Sequence, residues 1–414
     1  MSADPQTHEA AEQAGLAHVA TASFLASRVV PTGGFLVALA GGVALARAAQ
    51  RAGARTGYGA SLAAMLQTIA VMGPSRIGIP LTQAVSAPLL GRQHARGSRF
   101  ATQFAACAGV RLADQLVNTA FYIWIIIGGL DVYAGTYDTL IGDLPLLPAG
   151  VRAALLATVA GLLAWTVFAS AVQVVVYRRG LSGWPAAPAV VPPRTDQAPG
   201  AEPRRRPRCD PRAVAVAAAV AFAVLLASTH WVVLAAVSAW LVVAWATARA
   251  EREPVRAGLS LAATLAAGAL VFGLIGSVSL DLTLQRTARA ALLVLVATWL
   301  RAAAGEDGLR EVARRTLRRA AWLPSATEAS AILERLGARG GLAASGRALV
   351  ETVRHAPRRP TPLAGAVLLW IAAESARFAP AADAPPAELR ARTHDRALVA
   401  LAIAAAATLA LPAG

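Results

Sequence analysis

Long runs of apolar residues recur along this chain of 414 residues, near 32–48, 100–130, 151–177, 213–229, 231–248, 258–280, 287–301, 362–377 and 396–412. A bilayer hydrocarbon core about 30 Å thick is crossed by roughly 20 such residues in a helix. Helices satisfy every backbone hydrogen-bonding group within the segment, which lipid cannot do for them. The composition agrees: 56% of residues are hydrophobic and only 15% charged, where soluble domains carry about a quarter. The expected fold is therefore all-α, a polytopic integral membrane protein with about nine transmembrane helices.

All 39 basic residues are arginine; against 23 acidic residues they give a net charge of +16. Such a balance suits either nucleic acid or a membrane protein that concentrates arginine in its cytoplasmic loops. The apolar runs decide for the membrane, and no nucleic-acid partner is expected. Two cysteines, Cys107 in an apolar stretch and Cys209 in an Arg-rich loop, offer neither a disulfide framework nor a cysteine-based metal site. The first residues, MSADPQTHEAAEQAG, lack the basic start and apolar middle of a signal peptide and read as part of a polar segment over 1–30.

Arginine placement sets the expected orientation. Segments 47–57, 92–99, 178–212, 249–256 and 301–359 hold 3, 3, 8, 3 and 12 arginines, while the intervening segments carry Arg28, Arg152, Arg286, Arg289, Arg390, Arg392 and Arg396, and Arg76, Arg111 and Arg377 lie within apolar segments. With the Arg-rich segments cytoplasmic, the amino terminus is external and the carboxyl terminus cytoplasmic, in the inner (plasma) membrane of the cell. Asp383, Glu388 and Asp395 then fall outside. Two shorter apolar runs, 60–72 and 78–91, flank Gly73-Pro74-Ser75-Arg76 between two cytoplasmic loops. They must enter and leave on one side, as a re-entrant hairpin over 60–91. Broken helices of this kind persist only where protein or a wet cavity satisfies their backbone, and in transporters that is where substrates commonly bind.

The chain so divides into a first membrane domain (31–179), a Pro- and Arg-rich cytoplasmic linker (180–212), a second membrane domain (213–301), basic amphipathic cytoplasmic helices (302–360) and two final transmembrane helices (361–414). Within 100–130, Gln103, Cys107, Arg111, Asp114, Gln115 and Asn118 share one helical face. A charged residue at the bilayer centre costs about 2.5–3.5 kcal/mol on insertion scales and is by default a functional-site candidate. Arg111 and Asp114, at i and i+3, can pair. Arg76 sits beside a half-helix end whose free N–H groups favour anions. Ser75, Arg76, Arg111, Asp114 and Gln115 together predict an Arg-lined cavity for a phosphate-bearing headgroup, because a guanidinium fork matches phosphate geometry.

A hairpin reading Gly73-Pro74-Ser75-Arg76-Ile77-Gly78, followed by Arg111-Leu112-Ala113-Asp114, resembles the transmembrane region of lysylphosphatidylglycerol synthases and related flippase-like proteins over about 35–180. The resemblance implies an integral membrane fold that binds or translocates an anionic phospholipid or a polyprenyl phosphate. Where that family has a Glu in the hairpin this chain has Ile79, and the family's second hairpin has no counterpart.

In the second half, GLREVARRTLRRAAWL describes a basic interfacial helix, Ser325 and Glu328 have the spacing of a capping box, and a third helix covers about 345–355. Apolar spans followed by cytoplasmic amphipathic helices resemble the T component of energy-coupling-factor transporters, whose coupling helices end in Ala-Arg-Gly. Ala338-Arg339-Gly340 stands here, with a second copy at Ala95-Arg96-Gly97. That alternative implies separate ATPase subunits contacting Arg314, Arg318 and Arg339. No nucleotide-binding motif occurs, and His8, His18, His94, His230, His355 and His394 are scattered without metal-site spacing. No cofactor and no metal are expected; catalysis is not expected, a membrane transferase using the external carboxylates being the remaining enzymatic alternative.

Overall fold

The computed structural model describes residues 5–28, 34–74, 80–141, 150–185, 209–248, 252–275, 279–336, 339–357, 359–378, 389 and 391–410. Every regular element among them is helical. Seven helices are long and apolar enough to cross a membrane: Gly34–Met72, Phe100–Ile127, Val151–Ser182, Trp231–Ala248, Val255–Ile275, Leu280–Arg319 and Thr393–Ala410. Of the nine expected spans, the one near 213–229 is a shorter apolar helix, Pro211–Ala227. The one near 362–377 forms Pro360–Arg377, whose last turn carries Glu374 and Arg377 and whose start is Pro-Thr-Pro, so it is not among the seven.

The first core is built from α1 (Pro5–Ala26), α2 (Gly34–Met72) and α3 (Pro80–Ala95), joined by α11 (Ala326–Arg335), α12 (Arg339–His355) and α13 (Pro360–Arg377). The segment 1–30, expected to be polar and external, contains α1, a helix buried on every side from Gln13 to Phe24. Small residues make this possible. Gly15 lies against the Ser375 carbonyl of α13, and Gly41 of α2 lies against Phe24 and the Ala20 carbonyl. Two of the polar residues of α1 are accommodated inside: Thr21 donates to the Ala17 carbonyl at 2.9 Å, and Ser23 Oγ accepts from the Gly41 amide at 2.9 Å.

Chain reversal inside α2 takes place at Gly53 (φ 86°, ψ 173°), a left-handed conformation that favours glycine. Two antiparallel arms result, with Gly57 packed against Ala49. The helix expected over 60–72 therefore starts at 54 and ends at Met72, and its partner α3 covers 80–95 rather than 78–91. Ser61 Oγ donates to the Ala84 carbonyl across the pair, and Gly91 abuts the Ala46 carbonyl on the first arm. Residues 75–79, the expected hairpin tip, lie outside the described residues, as do 186–208 of the linker.

The second core comprises α7 (Pro211–Ala227), α8 (Trp231–Ala248), the first arm of α10 (Leu280–Arg319) and α14 (Thr393–Ala407), with α9 (Arg252–Ile275) packed on α10. Trp240 and Trp299 meet edge to face at 5.1 Å, and their ring N–H groups donate to the carbonyls of Leu398 (3.1 Å) and Ala244 (2.9 Å). A second positive-φ corner, Gly305 (φ 69°), turns α10 so that Leu317 of its far arm joins the first core. Ser325 begins α11 but makes no side-chain cap, in place of the expected capping box; Glu328 is drawn away to Arg55 at 2.5 Å.

Asp210 caps α7 by accepting from the Arg212 amide at 2.9 Å, and its own amide donates to Asp395 Oδ1, in the first turn of α14, at 3.0 Å. The two helices begin together and run side by side in the same direction. The expected topology placed 180–212 inside and Asp395 outside; the structure instead brings Asp210 and Asp395 together. α13 packs on α1 and α12.

Candidate functional site

Between α3, α4 (Phe100–Phe121, continued by a π-helical turn, Tyr122–Ile127) and α6 (Val151–Ser182) lies a buried polar network around Arg111, which is 4% exposed. The polar face expected on α4 supplies Gln103, Cys107 and Arg111, the buried residues of that helix. Arg111 Nη2 donates to Gln173 Oε1 of α6 at 2.5 Å, Gln173 Nε2 donates to Ser86 Oγ of α3 at 2.6 Å, and the guanidinium lies 5.5 Å from the centre of the Phe35 ring. Nearby, Tyr177 donates to Gln83 at 2.7 Å. Gln83, Gln173 and Ser170 are fully buried.

The expected Arg111–Asp114 ion pair does not form. Asp114 Oδ2 instead accepts from Thr82 Oγ1 at 2.7 Å, and Gln115 Oε1 accepts from Thr166 at 3.3 Å. Three positions along a helix leave two side chains pointing about 60° apart in azimuth, and each finds a neutral partner on a different neighbouring helix. No ion pair involves Arg111 among the described residues, and its Nε, together with Ser170 Oγ and Gln83 Nε2, has no hydrogen-bond partner there. Buried polar groups normally have partners; a buried guanidinium whose hydrogen-bond partner is a neutral amide and which has spare donor capacity is chemically suited to an anion. Ser75 and Arg76, expected to complete the site, lie outside the described residues.

The surface beside this network is apolar. Leu116, Val117 and Phe121 of α4 and Val167 and Phe168 of α6 are exposed, as residues facing acyl chains would be. On the far arm of α10, Arg314 makes two hydrogen bonds to Glu311, at 2.8 and 2.9 Å, and Arg318 pairs with Glu334 at 3.2 Å. The first of these expected partner contacts is thus engaged within the protein itself. Arg339 opens α12, but its side chain lies outside what is described.

Two further constellations were invisible to spacing. His18 of α1 shares a 3.0 Å hydrogen bond with Ser345 of α12, which donates to Glu374 of α13, all three buried. Cys209, His394 and Asp395 bring their ligand-type atoms within 4.8 Å of one another where α7 and α14 begin. Both join residues far apart in the chain, so no local motif announces them.

These features fit a multi-pass helical membrane protein with a charged polar core. Comparison with protein-family models, curated proteins and solved structures finds no match for this chain.

Proposed function

We propose that the protein binds, and in doing so presents or translocates, a phosphate-bearing lipid, an anionic phospholipid or a polyprenyl phosphate, through Arg111. The observation that carries this reading is the buried guanidinium hydrogen-bonded to a neutral amide, with no carboxylate in ion-pair reach among the described residues. Leaving a buried charge without a counter-ion is costly, and a lipid phosphate approaching between the apolar faces of α4 and α6 supplies that counter-ion while its chains remain in the bilayer. The lysylphosphatidylglycerol synthase resemblance of 35–180 points the same way. In this reading the Arg-rich segments, and with them the starts of α7 and α14, face the cytoplasm of the inner (plasma) membrane, and α14 ends on the outer side.

The alternative, a coupling component holding ATPase subunits against 301–359, loses support from the Arg314–Glu311 pairing, because a side chain already engaged by its own helix offers little to a partner. Native mass spectrometry of the detergent-purified protein tests the proposal. Charge-assisted hydrogen bonds are worth about 1.5–3 kcal/mol, so Arg111→Gln should retain phospholipid or polyprenyl phosphate about tenfold less than wild type, while Arg335→Ala on α11 should retain it unchanged. Equal retention by Arg111→Gln and wild type would remove the basis for the site, and stoichiometric ATPase subunits in a pull-down would favour the alternative.

A further inference from the structure

We propose that Cys209, His394 and Asp395 form a binding site for a thiophilic divalent cation, Zn²⁺ foremost, which ties the end of the 180–212 segment to the start of α14. The three donor atoms lie within 4.8 Å of one another, and the His394 Nε2 to Asp395 Oδ1 separation is 3.4 Å. Bonds of about 2.0–2.3 Å to a tetrahedral zinc place its donor atoms roughly 3.3–3.8 Å apart, so a small movement of one side chain closes the set.

The chemistry of the surroundings favours a metal over a chance meeting. Asp395 is fully buried and Cys209 nearly so, while His394 is partly open, leaving an entry path. The Asp395 carboxylate is held from behind: Oδ1 accepts from the Asp210 amide at 3.0 Å and Oδ2 from the Arg392 amide at 2.8 Å. Outer hydrogen bonds of this kind orient ligand oxygens and leave a second lone pair on each for the ion. A thiolate, a carboxylate and a neutral imidazole neutralise a 2+ charge, which suits a site near Arg212 and Arg392. Binding displaces the Cys209 thiol proton, which leaves to solvent, and no redox step is involved. Three protein donors leave a fourth position for water, the arrangement of open zinc sites.

The test uses the full chain in detergent, stripped with chelator and returned to Zn²⁺ alone or Co²⁺ alone. The expected result is one Zn²⁺ per chain by elemental analysis, and a thiolate-to-cobalt charge-transfer band in the Co²⁺ protein. Cys209→Ser should abolish that band, and His394→Gln should weaken Zn²⁺ binding at least tenfold while each variant elutes as the wild type does. If Cys209→Ser fails to fold, His394→Gln and the wild-type cobalt spectrum decide. Absence of a thiolate band from folded wild type, or equal Zn²⁺ affinity in wild type and His394→Gln, overturns the site.

Discussion

At the scale of single residues, burial decides which charges the protein can keep. His18, on a helix that is not among the seven membrane-length apolar helices, is 7% exposed, hydrogen-bonded to Ser345 and 5.0 Å from the Phe378 ring. Desolvation lowers its pKa from 6.5 to about 4, against an opposing pull from the Glu374 carboxylate. Between those values the unfolded chain binds a proton that the folded one refuses. The stabilisation is complete above pH 6.5 and drains away as pH falls towards 4, by about 3 kcal/mol in all. Thermal unfolding followed from pH 7.5 to 4.5 should therefore show a falling midpoint that flattens in His18→Gln. Identical slopes would mean that the imidazole is not the group responsible. Arg111 shows the converse: its guanidinium stays charged, so its environment must supply partners. Gln173 is one, and the binding proposal would add a lipid phosphate.

Helices approach one another here through glycine and alanine. Gly91 of α3 faces the Ala46 carbonyl of α2, Gly15 faces the Ser375 carbonyl, and Gly57 faces Ala49 across the Gly53 corner. A Cβ at Gly91 would collide with backbone, which cannot swing aside as a side chain can. Gly91→Ala should accordingly cost about 1–3 kcal/mol, the usual range for overpacking. Gly109 and Gly161 lie on helices with open space around them. Replacing either with Ala should be neutral or stabilise by roughly 0.5–1 kcal/mol, since alanine is the better helix former. Melting temperatures of the three variants in one detergent distinguish these outcomes; a Gly91→Ala protein as stable as Gly161→Ala would show that α2 and α3 are not held this closely.

For the whole molecule, the bond between Asp210 and Asp395 sets the starts of α7 and α14 side by side; in the proposed orientation the turn after α10 then lies on the cytoplasmic face and the end of α14 on the outer one. Both native cysteines are buried, so a single introduced cysteine can report position. Trp322, 79% exposed between α10 and α11, and Leu409, 41% exposed beyond α14, are suitable sites. A membrane-impermeant thiol reagent should label Trp322→Cys only in inverted vesicles and Leu409→Cys only in intact cells. Labelling of both from one side would overturn the proposed orientation.

What the sequence determined by itself is whatever depends on about twenty neighbouring residues. Runs of apolar side chains fixed the all-helical, membrane-length elements, and spacing of three and four put Gln103, Cys107 and Arg111 on one helical face, which the structure buries. Tertiary structure alone decided the rest. The interior position of α1 was illegible because Gln13 and His18 lower its hydropathy; His18 finds its hydrogen-bond partner in Ser345 of α12, far along the chain. Gly53 looked like any other glycine in a basic stretch until the two arms of α2 were seen to fold back on each other. The partner of Arg111 was misjudged as Asp114, one turn away, because i,i+3 proximity can be read along a chain, whereas Gln173 lies 62 positions on. Cys209 and His394 are separated by most of the second half of the chain and share no local pattern. Local periodicity specifies which side of a helix is buried; only the packing of one helix on another specifies against what.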